Sequence, residues 1–139
     1  MTTRILGVHE TVLYAADIDA AAGFYQRQIG LALVSANAGQ SAAFRMPAGD
    51  AVLLIFEPGH AATSGRGVPT HGALGPGHVA FRVAPGTLDA WALRLRGAGV
   101  PIELDRSWDR GGRSLYVRDP GGNSVELVDG RIWPDADLA

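Results

Sequence analysis

The 139-residue chain contains no cysteine, which excludes disulfides, thiolate metal sites and a cysteine nucleophile. Long hydrophobic runs are also missing. The longest, Ala51 to Phe56, falls far short of the ~20 residues that span a bilayer. Neither sign of charge dominates. Twelve basic and 14 acidic residues leave a formal net charge of −2, so there is no electrostatic footprint for nucleic acid or an anionic membrane. No basic-then-apolar signal segment follows Met1-Thr2-Thr3-Arg4. No glycine run follows a strand and leads into a helix with the Lys-Ser/Thr of a phosphate loop. These absences point to a cytoplasmic protein that engages a small molecule, with no nucleic acid and no membrane as partner.

What is present is a core and many turns. Hydrophobic residues make up 47% and charged residues 19% of the chain, enough for packing and too apolar for disorder. Nineteen glycines and eight prolines imply frequent turns and a strand-rich fold. Residues 5–15 read as a strand. Asp17 reads as an N-cap for a helix over 18–29 that Gly30 ends. Strands are expected over 31–35, 41–46 and 51–57. The stretch 58–76 is Gly/Pro/His-rich and lacks periodicity, which suggests a linker or a functional loop. The order then recurs: a strand over 77–84, a helix over 88–98 capped by Thr87, and strands over 101–105, 113–118 and 123–129. Asp119-Pro120-Gly121-Gly122 supplies the last hairpin turn. The tail, 130–139, has no pattern of its own. The fold class is therefore α+β, with two βαβββ modules (about 5–57 and 77–129) forming a curved, partly open mixed barrel with its helices outside.

Strand alternation assigns side chains to faces. His78, Ala80 and Arg82 point away from the apolar row of Val79, Phe81 and Val83. Glu126 points away from Val125 and Leu127. A repeat offset of 69 residues pairs His9 with His78. Two histidines and a carboxylate on one inner surface suit a divalent metal with open positions for substrate.

The segments that carry a family resemblance are His9-Glu10-Thr11-Val12, Asp17 to Gly30 with Phe24-Tyr25, Gly77-His78-Val79-Ala80-Phe81, and Tyr116 to Leu127 ending in DPGGNSVEL. On these the chain resembles the vicinal-oxygen-chelate superfamily of glyoxalases, bleomycin-resistance proteins, extradiol dioxygenases and fosfomycin-resistance thiol transferases. The resemblance implies a metal held by His9, His78 and Glu126. Fe(II) with dioxygenase-type chemistry leads, and Mn, Zn or Ni stay open. It implies that Tyr116 hydrogen-bonds a metal-bound oxygen or the substrate. Thr11, Phe44, Arg82 and Trp108 are candidate substrate contacts. A homodimer is expected from the same resemblance.

Three points stay open on sequence. A fixed offset pairs Glu57 with Glu126, whereas matching strand ends place Leu54 there; the second register is favoured and disfavours glyoxalase I chemistry. The Arg106-Ser107-Trp108-Asp109-Arg110 loop departs from the fosfomycin pattern. The alternatives to a dioxygenase-type enzyme are a metal-free drug-binding dimer and a metal-dependent thiol transferase or isomerase. His60, His71 and Arg113 read as loop or surface residues, and Asp119 and Asn123 as turn residues.

Overall fold

The structure, a computed structural model, describes residues 3–134. Its contacts divide the chain into two compact units, one ending at Gly75 and the other starting at Pro76. Among the described residues no helix is long and apolar enough to cross a membrane.

Unit 1 holds β1 (Glu10–Tyr14), α1 (Ile18–Gly23) continuing as a π-helix (Phe24–Ile29), β2 (Ala32–Asn37), β3 (Ser41–Arg45), β4 (Val52–Phe56) and α2 (Pro58–Ala62). Its sheet runs β1-β4-β3-β2, with β1 parallel to β4 and the other pairs antiparallel. The Asp17 carboxylate accepts from the Ala20 N–H at 3.0 Å, which satisfies an otherwise orphaned donor and starts α1. Gly30 ends the helical segment at φ 86°, a left-handed position that glycine adopts without a Cβ clash. Register places Leu13, Ile55 and Ala42 in one lateral row, and Thr11, Leu53 and Phe44 in the next row on the same side. Tyr25 meets Phe44 at a ring separation of 5.7 Å, so this is the side that the helix covers. Tyr25, Phe44 and Ile55 are fully buried.

Unit 2 holds β5 (His78–Arg82), α3 (Leu88–Gly97), β6 (Leu104–Ser107), β7 (Arg113–Arg118) and β8 (Ser124–Asp129). The sheet order is β5-β8-β7-β6, with β5 parallel to β8. Here Val79, Phe81, Val125, Leu127, Leu115 and Val117 form the core side, and α3 packs on β7 and β8. The α+β expectation of two four-stranded sheets with helices holds.

Three local expectations are corrected. Residues 5–9 are outside β1, with Ile5, Leu6 and Val8 largely exposed; β propensity alone gives a strand no partner. The 58–76 stretch opens with α2, because Glu57 accepts from the Gly59 and His60 N–H groups at 2.9 and 2.7 Å and Pro58 suits a first helical turn. These two bonds hold the Glu57 carboxyl below its usual pKa. The sixth strand starts at Leu104 rather than 101.

Phe44 was expected at the substrate, yet it belongs to the core under the helix. Phe44→Ala should therefore cost about 3–5 kcal/mol, read from urea unfolding. A loss below about 1 kcal/mol would place the ring outside the core.

Candidate functional site

The side of the unit 2 sheet opposite the core is polar where the core is apolar. Register joins His78, Ala80 and Arg82 on β5 to Ser124, Glu126 and Val128 on β8, and those to Arg118, Tyr116 and Ser114 on β7. Asn123 sets the start of β5. Its side-chain oxygen accepts from the Gly77 N–H at 2.8 Å, while its amide donates to Asp119 at 2.9 Å. The turn thus fixes the residue next to His78.

Glu126 is 4% exposed, so its carboxylate needs partners. Oε2 accepts from Ser114 Oγ at 2.6 Å, and Ser114 Oγ in turn accepts from Trp108 Nε1 at 2.9 Å. The Arg106 guanidinium lies 4.4 Å from the Trp108 ring centroid. Oε1 faces His78 Nε2 at 3.2 Å.

The other ring nitrogen decides what this contact requires. His78 Nδ1 sits 3.0 Å from the Ser124 carbonyl oxygen. A carbonyl only accepts, so Nδ1 carries the proton. On a neutral ring, Nε2 is then a lone pair aimed at a carboxylate oxygen. That arrangement needs positive charge between the two atoms, either a proton on Nε2 or a cation. An imidazole held by a backbone carbonyl at one nitrogen, beside a carboxylate anchored at its far oxygen, is a donor pair oriented for a divalent metal. The residues present are of a type that fits a metal, which His78 and Glu126 would hold. No group of three or more His, Asp or Glu side chains that could hold a metal gathers among the described residues.

Tyr116 stacks on the His78 ring at 6.2 Å and 20°. Burial raises its pKa above the ordinary tyrosine range, and the Glu126 charge and hydrogen bonding to it push the same way. The phenol is a donor at neutral pH.

A model of the Glyoxalase/Bleomycin resistance protein/Dioxygenase superfamily matches residues 7–127. The chain belongs to this superfamily. Among solved structures it is similar to a lactoylglutathione lyase from Agrobacterium tumefaciens, at 36% identity and TM-score 0.87, covering 94% of this chain and 98% of that one. A glyoxalase/bleomycin resistance protein/dioxygenase from Nocardioides is 22% identical at TM-score 0.74, covering 99% and 93%. An integron cassette protein from the mobile metagenome of V. cholerae is 24% identical at TM-score 0.71, covering 94% and 100%. The last two share the fold. No curated protein matches.

The paired modules of this superfamily allow the two sheets to be compared position by position. The residue in unit 1 that corresponds to His78 is Glu10: each opens its strand, and the core rows that follow start at Thr11 and Val79. His9, expected as a ligand, lies one residue before β1, and its carbonyl accepts from the Val52 N–H at 2.9 Å. Leu54 occupies the position of Glu126, since Leu54 pairs with Val12 and Ala43 as Glu126 pairs with Ala80 and Tyr116. Glu57 caps α2 instead. Thr11, expected at the substrate, stands in the row of Phe44 and Leu53 on the helix side.

Arg82 is exposed and lines a pocket described below. Trp108 is half-buried, and its indole N–H is committed to Ser114. Arg113 bridges Asp89 and Asp105, each at 2.8 Å. His71 and His60 pack on Phe56. Ser114 is the functional residue that sequence reading left without a role. Its parity with Tyr116 was the available signal.

The folded state favours the protonated Tyr116 phenol. Stability from that preference is present below the ordinary tyrosine pKa and is lost as pH rises through the raised value. Absorbance titration at 295 nm, taken as the difference between wild type and Tyr116→Phe, should place its midpoint above that of free tyrosine. Glu126→Gln should lower that midpoint; no change on Glu126→Gln would refute the coupling.

Proposed function

We propose that the chain is a divalent-metal-dependent enzyme acting on a small substrate that chelates the metal through two neighbouring oxygens. The observation that carries this reading is the approach of His78 Nε2 to Glu126 Oε1, with each group's other polar atom already engaged. The metal, when bound, supplies Lewis acidity to charge developing on the substrate oxygens. His78 is presented in one tautomer by the Ser124 carbonyl. Glu126 is held by Ser114, which Trp108 holds in turn. Tyr116 offers its hydroxyl proton to a substrate oxygen and keeps that proton at neutral pH.

His9, from the family resemblance, and Glu10, from its equivalence to His78, are the two candidates for a further donor. His9 would complete two imidazoles and one carboxylate, a set for which Fe(II) and dioxygenase-type chemistry lead. Glu10 would give one imidazole and two carboxylates, harder donors that shift the balance toward Mn(II). Leu54 leaves the fourth ligand position without a donor in either case, which supports keeping positions open for substrate.

A second reading, a lyase acting on a thiol adduct, is favoured by the 36% identical Agrobacterium structure and its name. Oxygen uptake with catechols after anaerobic Fe(II) loading separates the two readings from turnover of a glutathione hemithioacetal.

Protein purified without chelator should carry divalent metal by elemental analysis, and His78→Ala and Glu126→Ala should lose most of it. Equal metal in wild type and both variants would remove the site. Comparing His9→Ala with Glu10→Gln identifies the further donor. Tyr116→Phe should retain metal and lower kcat by about 10²–10⁴-fold on whichever substrate turns over.

A further inference from the structure

The two sheets treat one equivalent place differently. In unit 1, Tyr14 and Phe56 are register partners at the ends of β1 and β4. His71, from the connector, hydrogen-bonds the Tyr14 hydroxyl through Nδ1 and meets Phe56 edge-on at 4.8 Å. His60 stacks on Phe56 at 6.4 Å, and Arg66 lies 5.8 Å from its ring. That place is filled by the chain itself.

In unit 2 the corresponding register partners are Arg82 and Val128. They line a pocket of about 720 Å³ together with Val83, Pro85, Ile132 and Trp133 among others. Such a volume fits a small-molecule ligand. Arg82 makes no hydrogen bond or ion pair with the described residues. Asp129, the acid in the wall, accepts from the Gly86 N–H at 2.8 Å. The pocket is therefore apolar in its body, with the Arg82 guanidinium as a cation unengaged by the described residues. Ala80, the register partner of Glu126, also lines it, so the pocket and the His78–Glu126 pair share one side of the sheet. Four residues of strand separate His78 from Arg82, about 13 Å.

We propose that this pocket binds a monocarboxylate with an apolar body, its carboxylate on the Arg82 guanidinium and its body against Trp133, Ile132 and Val128. Arginine presents paired donors that match a carboxylate. That this carboxylate belongs to the enzyme's own substrate rests on the metal reading above; the pocket's preference for it does not. The substrate class then becomes an apolar carboxylate with adjacent oxygens at its other end.

The test is calorimetric titration of the full chain with 4-phenylbutyrate and with 4-phenylbutanol, which share a body and differ in charge. Wild type should bind the carboxylate at least tenfold more tightly than the alcohol. Arg82→Met should erase that preference by weakening the carboxylate alone, and Arg82→Lys should restore part of it. Trp133→Ala should weaken both. Chelator-treated wild type should keep the same preference, so a failed metal assay and a failed pocket are told apart. Equal affinity for the two probes in wild type, or an unchanged preference in a folded Arg82→Met, would overturn the proposal.

Discussion

A carboxylate buried in a β-sheet has to be given positive charge or hydrogen bonds, and the chemistry assigned to this chain follows from how Glu126 meets that demand. Ser114 takes one oxygen, and His78 faces the other. The Ser124 carbonyl takes the Nδ1 proton of His78, so the contact with Glu126 calls for either a proton on Nε2 or a cation between the two atoms. A metal ion resolves that contact directly. Tyr116, stacked on the imidazole and raised in pKa, adds a proton donor on the same side of the sheet.

The duplicated architecture supplies an internal control. The same lateral positions occur in both sheets, and unit 1 puts Leu54 where unit 2 puts Glu126. Leucine at that position shows that the sheet has no structural need for an acid there. Retaining Glu126, with a serine and a tryptophan committed to orienting it, is a cost the fold alone does not explain. Buried ionisable groups with oriented partners cluster at binding and catalytic sites, which is the ground for the function proposed.

Most of unit 2's polar face was legible in the sequence, because alternation along β5, β7 and β8 is regular and the core residues are β-branched or leucine. His78, Glu126, Tyr116 and Arg82 fall where that alternation puts them. Unit 1 was misread by one residue, because no single offset relates the halves. Three residues separate β1 from α1 and five separate β5 from α3, so a repeat measured across the whole module slides within it. That slide promoted His9 over Glu10 and put Thr11 on the side of the metal, since a one-residue shift reverses every side chain of a strand. The end-matching register agrees with the observed place of Leu54 because an acid stands at the end of each strand, Glu57 just after β4 and Asp129 closing β8, and both accept backbone N–H groups.

That shared ending also explains how the two halves came to differ in what they leave open. After β4 the capped acid starts α2, and the chain returns through Arg66 and His71 to cover Tyr14 and Phe56. After β8 the corresponding acid turns back to Gly86 instead, and the chain runs on through Gly130 to Trp133 along a pocket wall without covering Arg82. Once α2 forms, His71 reaches the Tyr14 hydroxyl at little further entropic cost, because its backbone N–H is already bonded to the Ala61 carbonyl at 3.0 Å. Unit 2 has no counterpart of that anchored return among its described residues. An arginine in place of Tyr14 would put a charged donor, not a neutral hydroxyl, under the covering chain, and a covered charge needs fuller compensation than one histidine acceptor gives. The swap of tyrosine for arginine at one register position and the loss of the covering helix therefore act together, and they leave unit 2 with a cationic opening on the side of the sheet that carries its donors.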